Sequence, residues 1–335
     1  MAKVTMADVA KYAGVSKSTV SQYINKRYEY MGEDTREKIK CAIEELGYHP
    51  NYIARSLKQK KTSMIGIIVA DIVHRFSTEI CRSIEDYCFE HDYQAIICNA
   101  DNNPTKERTY IETLRAKQVD GLIIFPTGQN TAIYAKMIEE GYPVVFMDRD
   151  LPEIEAPFIL STNVESSFQA TQLFLENGHT NIAILTQPLT ISTRKERIEG
   201  YKKALQAYSI DIHEEYIISS EIANVKTALS QLFQKEKQPT AILAGNDLVF
   251  LETLAFLQEN QLRVPEDVSL IVFDNFPFAH LSNPPVTMIA QPAFEMGRKA
   301  TEVLLREINK EPYQKEKIIY PCELIVRQSS IKKIQ

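Results

Sequence analysis

Hydrophobic residues recur at helical spacing in three short segments over the first 46 residues of the chain. Thr5, with Asp8 three residues later, forms a capping-box pattern at the start of the first segment, and Gly14 follows its end. Ser16 is placed to cap the second segment, and the third covers residues 34–46. This pattern predicts an all-α, three-helix N-terminal head.

From residue 64 onward, short apolar runs alternate with amphipathic stretches of helical spacing, such as residues 77–90 and 105–117. The runs are Met64–Ala70, Gln94–Cys98, Gly121–Phe125 and Val144–Met147, followed by Ile182–Thr186, Ala241–Ala244 and Leu270–Phe273. This order of strands and helices is typical of a doubly wound α/β fold with a parallel sheet. Two sets of runs predict two such lobes with a cleft between them.

The changes of pattern also predict domain boundaries. The divisions are a helix-turn-helix head at residues 1–48, a linker at 49–62, one core lobe from 63–161 with 291–319, and a second from 162–290 with 320–330. In the linker, Pro50 can open a short helix over Tyr52–Leu57. Because a helix of about two turns is marginal in water, we expect it to fold only when a partner holds it.

Charge is distributed unevenly along the chain, whose formal net charge is −6. Residues 1–62 contain 12 lysines and arginines against 7 acidic residues, whereas residues 63–335 contain 26 against 37. A basic head on an acidic body suits a protein that contacts phosphates at one end only. Chance clustering on a solvated surface is the alternative, and charge alone does not decide between them.

Several classes of protein do not fit the sequence. No apolar run approaches the roughly 18 residues of a membrane span, and the N-terminus lacks the apolar segment of a signal peptide, so we expect a cytoplasmic protein that binds no membrane. The chain lacks the G-x-S-x-G, Walker and G-x-G-x-x-G motifs, and its six histidines have no metal-ligand spacing. We therefore predict neither an enzyme nor a metal or cofactor site. A transport-type binding protein would leave the basic head without a purpose.

The turn at residues 12–16 joins the first two predicted helices through a glycine, which is the arrangement of a helix-turn-helix. Small and polar side chains on the second helix suit entry into the major groove of DNA. Lys17, Ser18 and Gln22 are the candidates to contact bases, because glutamine pairs with adenine and lysine reaches guanine acceptors. A generic three-helix bundle is the alternative.

Further motifs are spread along nearly the whole chain. They lie at Val4–Ser21, Thr35–Ile39, Glu44–Asn51, Ala54–Leu57, Val119–Ile123, Arg197–Tyr201, Ala244–Asp247, Val264–Ser269 and Phe273–Asn275. In this order they resemble the motifs of the LacI/GalR family of bacterial repressors. The core is also similar to periplasmic sugar-binding proteins. The resemblance implies a homodimeric transcriptional repressor that binds a near-palindromic DNA operator under the control of a small-molecule effector.

For the head, the resemblance also places Lys17, Ser18 and Gln22 on bases. It places a further set near phosphates, namely Thr5, Ser16, Thr19, Ser21 and Asn25. Gln22 stands where the family usually has arginine, so we expect the operator to differ at that position. The loop at residues 26–32 looks longer than usual, and the resemblance gives it no role.

For the linker, the resemblance implies a hinge helix at Asn51–Leu57, two of which pack together in the minor groove. Leu57 matches the residue that opens the central base step, Ala54 matches a position of close approach, and Arg55 is a candidate phosphate contact. The polar neighbours of Leu57 disfavour a role for it in a protein core.

For the core, ligand contacts are expected where strands end. The candidates are Arg75, Phe76, Asp148, Arg149, Arg197, Asn246, Asp274 and Gln291. Asp148 and Arg149 directly follow the fourth apolar run, while the resemblance supplies Phe76 as a wall residue and the last four as polar contacts. Arg75 replaces the family's usual proline, and the preceding His74 replaces its usual asparagine. Each candidate could instead be a helix cap or part of a structural ion pair.

Three arginines in this set, with Lys195 nearby, predict the charge of the effector. A guanidinium group matches carboxylate or phosphate, so we expect an acidic sugar. Residues 21–25 and 27–31 resemble those of ketodeoxygluconate-responsive members of the family. The alternatives are control by a neutral sugar, a co-repressor or a protein partner.

The expected mechanism couples the cleft to the head. Closing the cleft rotates one lobe against the other, changes the spacing of the two hinge segments, and alters the register of the heads on DNA. We expect an inducer that releases the repressor from the operator, although the family contains both inducer-released and co-repressor-driven members. The C-terminus lacks a leucine heptad, which argues for a dimer rather than a tetramer.

Overall fold

The computed structural model describes residues 4–49, 61–276, 278–312 and 316–331. Contacts divide the chain into two units, residues 1–62 and residues 63–335. Ala54, Arg55 and Leu57 lie outside the described residues, so the hinge helix and its DNA contacts stay predictions.

The head consists of three helices, α1 (Met6–Ala13), α2 (Lys17–Ile24) and α3 (Glu33–Glu45). The predicted capping box at the start of α1 is confirmed, because the Thr5 hydroxyl accepts from the Asp8 backbone N–H and the Asp8 carboxylate accepts from the Thr5 N–H. After α1, a left-handed glycine makes the corner, and a serine hydroxyl caps α2. Local sequence signals therefore set the helix-turn-helix.

A small apolar core holds the three helices together. Val9, Val20 and Ile39 are fully buried in it. Tyr23 is half-buried against this core, with its ring centroid 5.8 Å from that of Tyr28 in the loop that follows α2. The Tyr28 ring therefore covers part of Tyr23.

The first core lobe is built on a sheet of parallel strands in the order β11-β5-β4-β3-β1-β2. The strands are β1 Met64–Val69, β2 Gln94–Asn99, β3 Gly121–Ile124, β4 Val144–Met147, β5 Phe158–Ser161 and β11 Lys317–Tyr320. The helices on its faces are α4 Arg75–Glu90, α5 Pro104–Ala116, α6 Thr131–Glu139 and α11 Ala293–Asn309. Separate apolar clusters cover the two faces of the sheet, so its central strands are apolar throughout.

The second lobe repeats the plan with the order β12-β10-β9-β8-β6-β7. The strands are β6 Ile182–Thr186, β7 Ile217–Ser219, β8 Ala241–Ala244, β9 Ser269–Phe273, β10 Thr287–Ala290 and β12 Glu323–Ile325. The helices are α7 Asn163–Glu176, α8 Ser192–Ala207, α9 Val225–Phe233 and α10 Asp247–Glu259, with short 3₁₀ turns at Glu214–Tyr216, Ile222–Asn224 and Gln328–Ser330. Only the edge strand β12 runs antiparallel to its neighbour among the described pairs of this sheet.

The predicted fold class, an all-α head followed by two doubly wound parallel-sheet lobes, is confirmed. The sequence pattern missed β5, β7, β10, β11 and β12, of which three are edge strands with mixed polarity. β11 reaches Tyr320, which pairs with Ser161 and lies one residue past the boundary predicted at 319. Across the described ranges, no helix has both the length and the apolarity to cross a membrane.

Candidate functional site

The first candidate site is the outward side of α2 in the head. Val20 anchors α2 in the core, so residues at other phases of the helix face away from it. Lys17, Ser18 and Gln22 are all exposed. Ser18 and Gln22 share the side of α2 opposite Val20, and Lys17 is the first residue of the helix. We call these three residues the recognition face. The structure thus brings together the three residues predicted to contact bases.

The residues predicted near phosphates lie at helix ends and already make local hydrogen bonds. The Ser16 hydroxyl accepts from the Thr19 backbone N–H at 3.1 Å and lies 2.7 Å from the Thr19 hydroxyl. The Asn25 side-chain amide donates to the Ser21 backbone carbonyl at 2.6 Å, at the C-terminus of α2. Thr5 belongs to the capping box of α1. Thr5, Ser16 and Thr19 thus lie at the N-termini of α1 and α2, whose N–H groups suit phosphate oxygens, whereas Ser21 and Asn25 lie at the C-terminal end of α2.

The loop after α2 is held by its first tyrosine and exposes its second. The Arg36 guanidinium lies 4.5 Å from the centre of the Tyr28 ring and donates to the Tyr28 carbonyl at 2.9 Å. Met31 is buried in the head core, whereas the side chain of Tyr30 is 95% exposed. The loop is therefore an anchored structure that presents one aromatic side chain to solvent.

The second candidate site lies between the core lobes, where strands end. In the second lobe, Arg197 of α8 donates from Nε to the Asn163 side chain at 2.9 Å and from Nη1 to the Gly245 carbonyl at 2.6 Å. Its guanidinium carbon lies 3.6 Å from the centre of the Phe273 ring. These contacts fix a buried cation in one orientation.

Three further candidates, Asp274, Gln291 and Asn246, join the same region. Asp274 follows β9 with a left-handed backbone (φ 88°), and its carboxylate accepts from the Gln291 side-chain amide at 2.5 Å. Gln291 in turn accepts from the Ser161 hydroxyl of the first lobe at 2.6 Å. Asn246 caps α10 and donates to the Gln187 side-chain oxygen at 2.8 Å. The Gln291 amide thus links the Asp274 carboxylate to the first lobe, whereas Asn246 is held within the second lobe.

Opposite them, Asp148 and Arg149 follow β4 in the first lobe. Arg149 is 5% exposed and donates to the Pro126 carbonyl at 3.0 Å and to the Asn102 side chain at 2.6 Å. Its Nε lies 3.7 Å from the Asp148 carboxylate and has no hydrogen-bond partner among the described residues. A buried donor without a partner is the kind of group that a bound ligand can satisfy.

Arg194 belongs to the same region, although the sequence drew attention to Lys195 instead. Arg194 donates to the Pro188 carbonyl at 2.7 Å and to the Gln187 side chain at 3.1 Å, whereas Lys195 is exposed. Arg194 lies three residues before Arg197 on α8 and so shares its face. This three-residue spacing from Arg197 is the sequence feature that could have identified Arg194.

The charges of this region influence one another across the lobes. Burial raises the pKa of Asp148 and lowers that of Arg149. Burial, together with the positive charges of Arg149 and Arg197, lowers the pKa of Arg194 to about 10. Burial raises the pKa of Asp274 to about 6 against the attraction of Arg197. We call these five residues the cleft cluster.

The structure does not bring Arg75 and Phe76 into the cleft cluster. Arg75 is the first residue of α4, and its side chain turns along the helix surface to Glu79, with Nε 2.7 Å from the carboxylate. A depression of about 550 Å³ beside it is lined by Arg75 and Gln291 among others. Phe76 is buried in the apolar core of the first lobe, because the next helical position faces the sheet. Their role as effector contacts stays a prediction.

Comparison with known proteins identifies the chain. Residues 5–51 match the model described as bacterial regulatory proteins, lacI family, and residues 171–330 match a periplasmic binding protein-like domain. The probable HTH-type transcriptional regulator EndR of Paenibacillus polymyxa is 44% identical over 94% of this chain and 93% of its own length. The chain belongs to the LacI family of bacterial regulatory proteins.

Other members support this LacI-family assignment. The HTH-type transcriptional regulator KdgR of Bacillus subtilis is 36% identical over 97% of both chains. A lac repressor dimer bound to operator and an anti-inducer has 25% identity and a TM-score of 0.86, covering 98% of this chain and 100% of that chain. The LacI-family chain is therefore a DNA-binding transcriptional regulator with an effector-binding core, and its relatives are regulators rather than enzymes.

Three features of this LacI-family core were outside the sequence prediction. They are Arg194, the side chains that orient the arginines (Asn102, Asn163 and Gln187), and an ion pair between lobes made by His74 and Asp247. The contacts of Asn102 and Asn163 and the His74–Asp247 pair join distant parts of the chain, whereas Arg194 and Gln187 are only seven positions apart. In the described parts of the chain, no group of histidine, cysteine or acidic residues is arranged to hold a metal ion.

Proposed function

We propose that this LacI-family chain is a cytoplasmic, homodimeric repressor that releases a near-palindromic operator when an acidic sugar binds between its core lobes. The observation that carries the proposal is a set of three arginines in the cleft cluster, Arg149, Arg194 and Arg197. They lie close enough together that the charges of Arg149 and Arg197 lower the pKa of Arg194. Binding an anion would relieve their mutual repulsion.

The DNA-binding part of the proposal rests on the head. Lys17, Ser18 and Gln22 lie exposed on one helix above a buried core, as a major-groove helix requires. We propose Thr5, Ser16, Thr19, Ser21 and Asn25 as phosphate contacts, with Ala54, Arg55 and Leu57 of the linker in the minor groove. The excess of positive charge in residues 1–62 also favours DNA binding by this part of the chain.

The proposed dimer rests on an exposed apolar surface of the second lobe. Leu251, Phe278 and Leu281 are 44%, 62% and 70% exposed. Phe278 continues a row of ring contacts that leads through Phe276 to the buried Phe250. Apolar side chains that are exposed but rigidly supported are typical of a subunit interface, and two-fold symmetry matches a palindromic operator.

The acidic effector is favoured by how the cluster balances its charge. The cleft cluster contains three arginines and only two carboxylates, and burial raises the pKa of both carboxylates, Asp148 and Asp274. A sugar carboxylate would add the missing negative charge next to Arg149, whose Nε lacks a partner. Asn246, Asp274 and Gln291 would contact hydroxyl groups.

Binding to DNA is tested by fluorescence anisotropy of the full-length chain on palindromic genomic fragments at two salt concentrations. We expect tight binding to a minority of fragments that weakens steeply with salt, since lysines and arginines displace counterions. Equal affinity for all fragments would contradict a sequence-specific repressor.

The effector class is tested by thermal shift with ketodeoxygluconate, gluconate and glucose. We expect the two acids to stabilise the core and glucose, which lacks a carboxylate, to do so weakly. The Arg194→Gln variant should lose the preference for acids. Stabilisation by neutral sugars alone would replace the acidic effector by a neutral one, and no stabilisation would favour a co-repressor or protein partner.

A further inference from the structure

His74 and Asp247 join the two core lobes at one edge of the cleft. His74 lies between β1 and α4 of the first lobe, and Asp247 is the first residue of α10 in the second. The distance from His74 Nδ1 to the Asp247 carboxylate is 2.6 Å, and the two side chains are only 15% and 8% exposed. A second bond crosses the same gap, since the Arg75 backbone N–H donates to the other carboxylate oxygen at 3.0 Å.

The Asp247 carboxylate lies between the N-termini of two helices. It accepts from the Leu248 N–H of its own helix at 2.8 Å and from the Arg75 N–H of α4. His74 occupies the N-cap position of α4, but no side chain of that helix's own segment caps it. The first lobe therefore borrows its helix cap from the second, and both helix dipoles favour the negative charge.

The charges around His74 favour its protonated form. Burial lowers the pKa of His74, but the hydrogen bond and the negative charge of Asp247 outweigh burial and leave that pKa raised. Burial likewise opposes the charge of Asp247, and the bonds to His74 and Arg75 leave its pKa lowered. The charged groups that face or adjoin the pair are Asp71, Asp148, Asp274, Arg197 and Arg75.

We propose that His74 and Asp247 form an interlobe latch that holds the lobes in the arrangement seen in the structure and thereby sets the affinity of the cleft for its effector. Both act as positioning residues, because neither belongs to the cleft cluster. The proposal rests on the proposed effector cleft for its consequence, but the latch itself does not depend on the identity of the effector. A latch that keeps this arrangement populated raises the apparent affinity for any ligand that binds it.

The sign of the pH dependence follows from the charge on His74. The charged latch is complete below the ordinary histidine pKa of about 6.5 and weakens as pH rises through the raised value. The substitution His74→Asn keeps a side-chain N–H donor near the position of Nδ1 but removes the charge. It also restores the asparagine that the family usually has there.

The Arg75 amide offers a direct measurement, because its hydrogen bond exists only while the lobes are together. We would follow hydrogen exchange with residue-level fragmentation on the full-length protein between pH 6.5 and 8.5, corrected for intrinsic exchange rates. We expect protection of the Arg75 amide to fall about tenfold over this range in the natural chain, as the charge-assisted bond becomes a neutral one. In His74→Asn, protection should be lower and independent of pH, and Asp247→Ala should abolish it.

The matched control is His91→Asn on the same helix, whose side chain bonds the Tyr87 carbonyl rather than a carboxylate. This variant should keep the pH response of the natural chain. The latch would be overturned if His74→Asn showed the same pH response as the natural chain, or if the natural Arg75 amide exchanged without protection. Asp274 is present in every one of these variants. Any contribution from its own titration would therefore persist in His74→Asn and be recognised there.

Calorimetric titration with ketodeoxygluconate separates this inference from the proposed function. We expect His74→Asn to bind about tenfold more weakly than the natural chain at pH 6.5 and nearly equally at pH 8.5. If ketodeoxygluconate binds neither protein while the exchange pattern holds, the proposed effector fails and the latch stands. If it binds both equally at both pH values, the latch does not set affinity.

Discussion

The head and the core carry their chemistry in opposite ways. In the head, the candidate DNA contacts Lys17, Ser18 and Gln22 are exposed, and a small apolar core only fixes the helix that presents them. In the core, the candidate effector contacts include buried charged side chains that hydrogen bonds hold in place, such as Arg197 bonded to Asn163 and Asp274 bonded to Gln291. Function at a surface follows the period of one helix, whereas function in a cleft depends on residues far apart in the chain.

The strongest test of this contrast removes the support of the head. Ile39→Ala should cost about 2–5 kcal/mol of stability, because Ile39 is fully buried in a core with few other side chains. Calorimetry of the full-length chain should show the head transition lowered or lost and the core transition unchanged, and operator binding should disappear. Cys41→Ala on the exposed side of the same helix is the control and should change neither. A lowered core transition would show that the two units are not independent in stability.

The next test removes a buried charge from the core. Arg197→Ala should weaken effector binding by about 2–5 kcal/mol, because it leaves the Asn163 and Gly245 acceptors unpaired and removes a ligand contact. Operator binding without effector should remain. Arg75→Ala is the matched control, since its exposed guanidinium pairs with Glu79 outside the cleft cluster. Titration calorimetry would contradict this assignment if Arg75→Ala proved the more damaging substitution.

A pH experiment tests how the buried carboxylate of Asp274 affects the stability of the core. The pKa of Asp274 is raised to about 6, so the folded core keeps a proton that the unfolded chain releases, and core stability should fall as pH rises from about 4 to about 6. Asp274→Asn removes that loss and should raise core stability near pH 7 by about 3 kcal/mol at most, with little change at pH 4. Asp211→Asn, at an exposed position, should have no such effect. Thermal unfolding at several pH values measures the difference in stability between Asp274→Asn and the natural chain. A difference that is the same at every pH would contradict this role of the buried Asp274 carboxylate.

The smallest expected effect is at the recognition face. Gln22→Ala should lower discrimination at one base pair of each half-site by about 1–3 kcal/mol and leave the salt dependence nearly unchanged, since the amide has no charge. Gln22→Arg should instead shift the preferred base. Anisotropy on operators altered one pair at a time measures both, and Lys40→Ala on an exposed site of α3 serves as control. A uniform loss across all operators would indicate a phosphate contact instead.

The sequence predicted the elements that rest on local signals and on strong periodicity. The Thr5 capping box, the cap at Ser16 and the long apolar strands all appear as expected. Edge strands such as β7 and β12 were missed because each has only three residues, one of them polar, which is too few to form a recognisable apolar run. Arg75 was expected in the cleft because it follows a strand, and in the structure its guanidinium pairs with Glu79 beside a depression that Gln291 also lines.

Contacts between distant residues were beyond local patterns. Gln291 bonds both Asp274 and Ser161, and the second of these partners lies 130 positions away. His74 and Asp247 are 173 positions apart, and neither has a local signal that names the other. What a single sequence predicts well is therefore which residues lie at strand ends, and what it leaves open is which of them meet.

The measurement that tests the central claim most directly is release of the operator by an acidic sugar. The full-length chain would be bound to its best palindromic fragment and titrated with ketodeoxygluconate, using glucose as the neutral control and Arg197→Ala as the protein control. We predict that the acid lowers operator affinity at least tenfold, that glucose does not, and that Arg197→Ala stays bound throughout. Release of the natural chain and of Arg197→Ala at the same concentrations would contradict control through the cleft cluster.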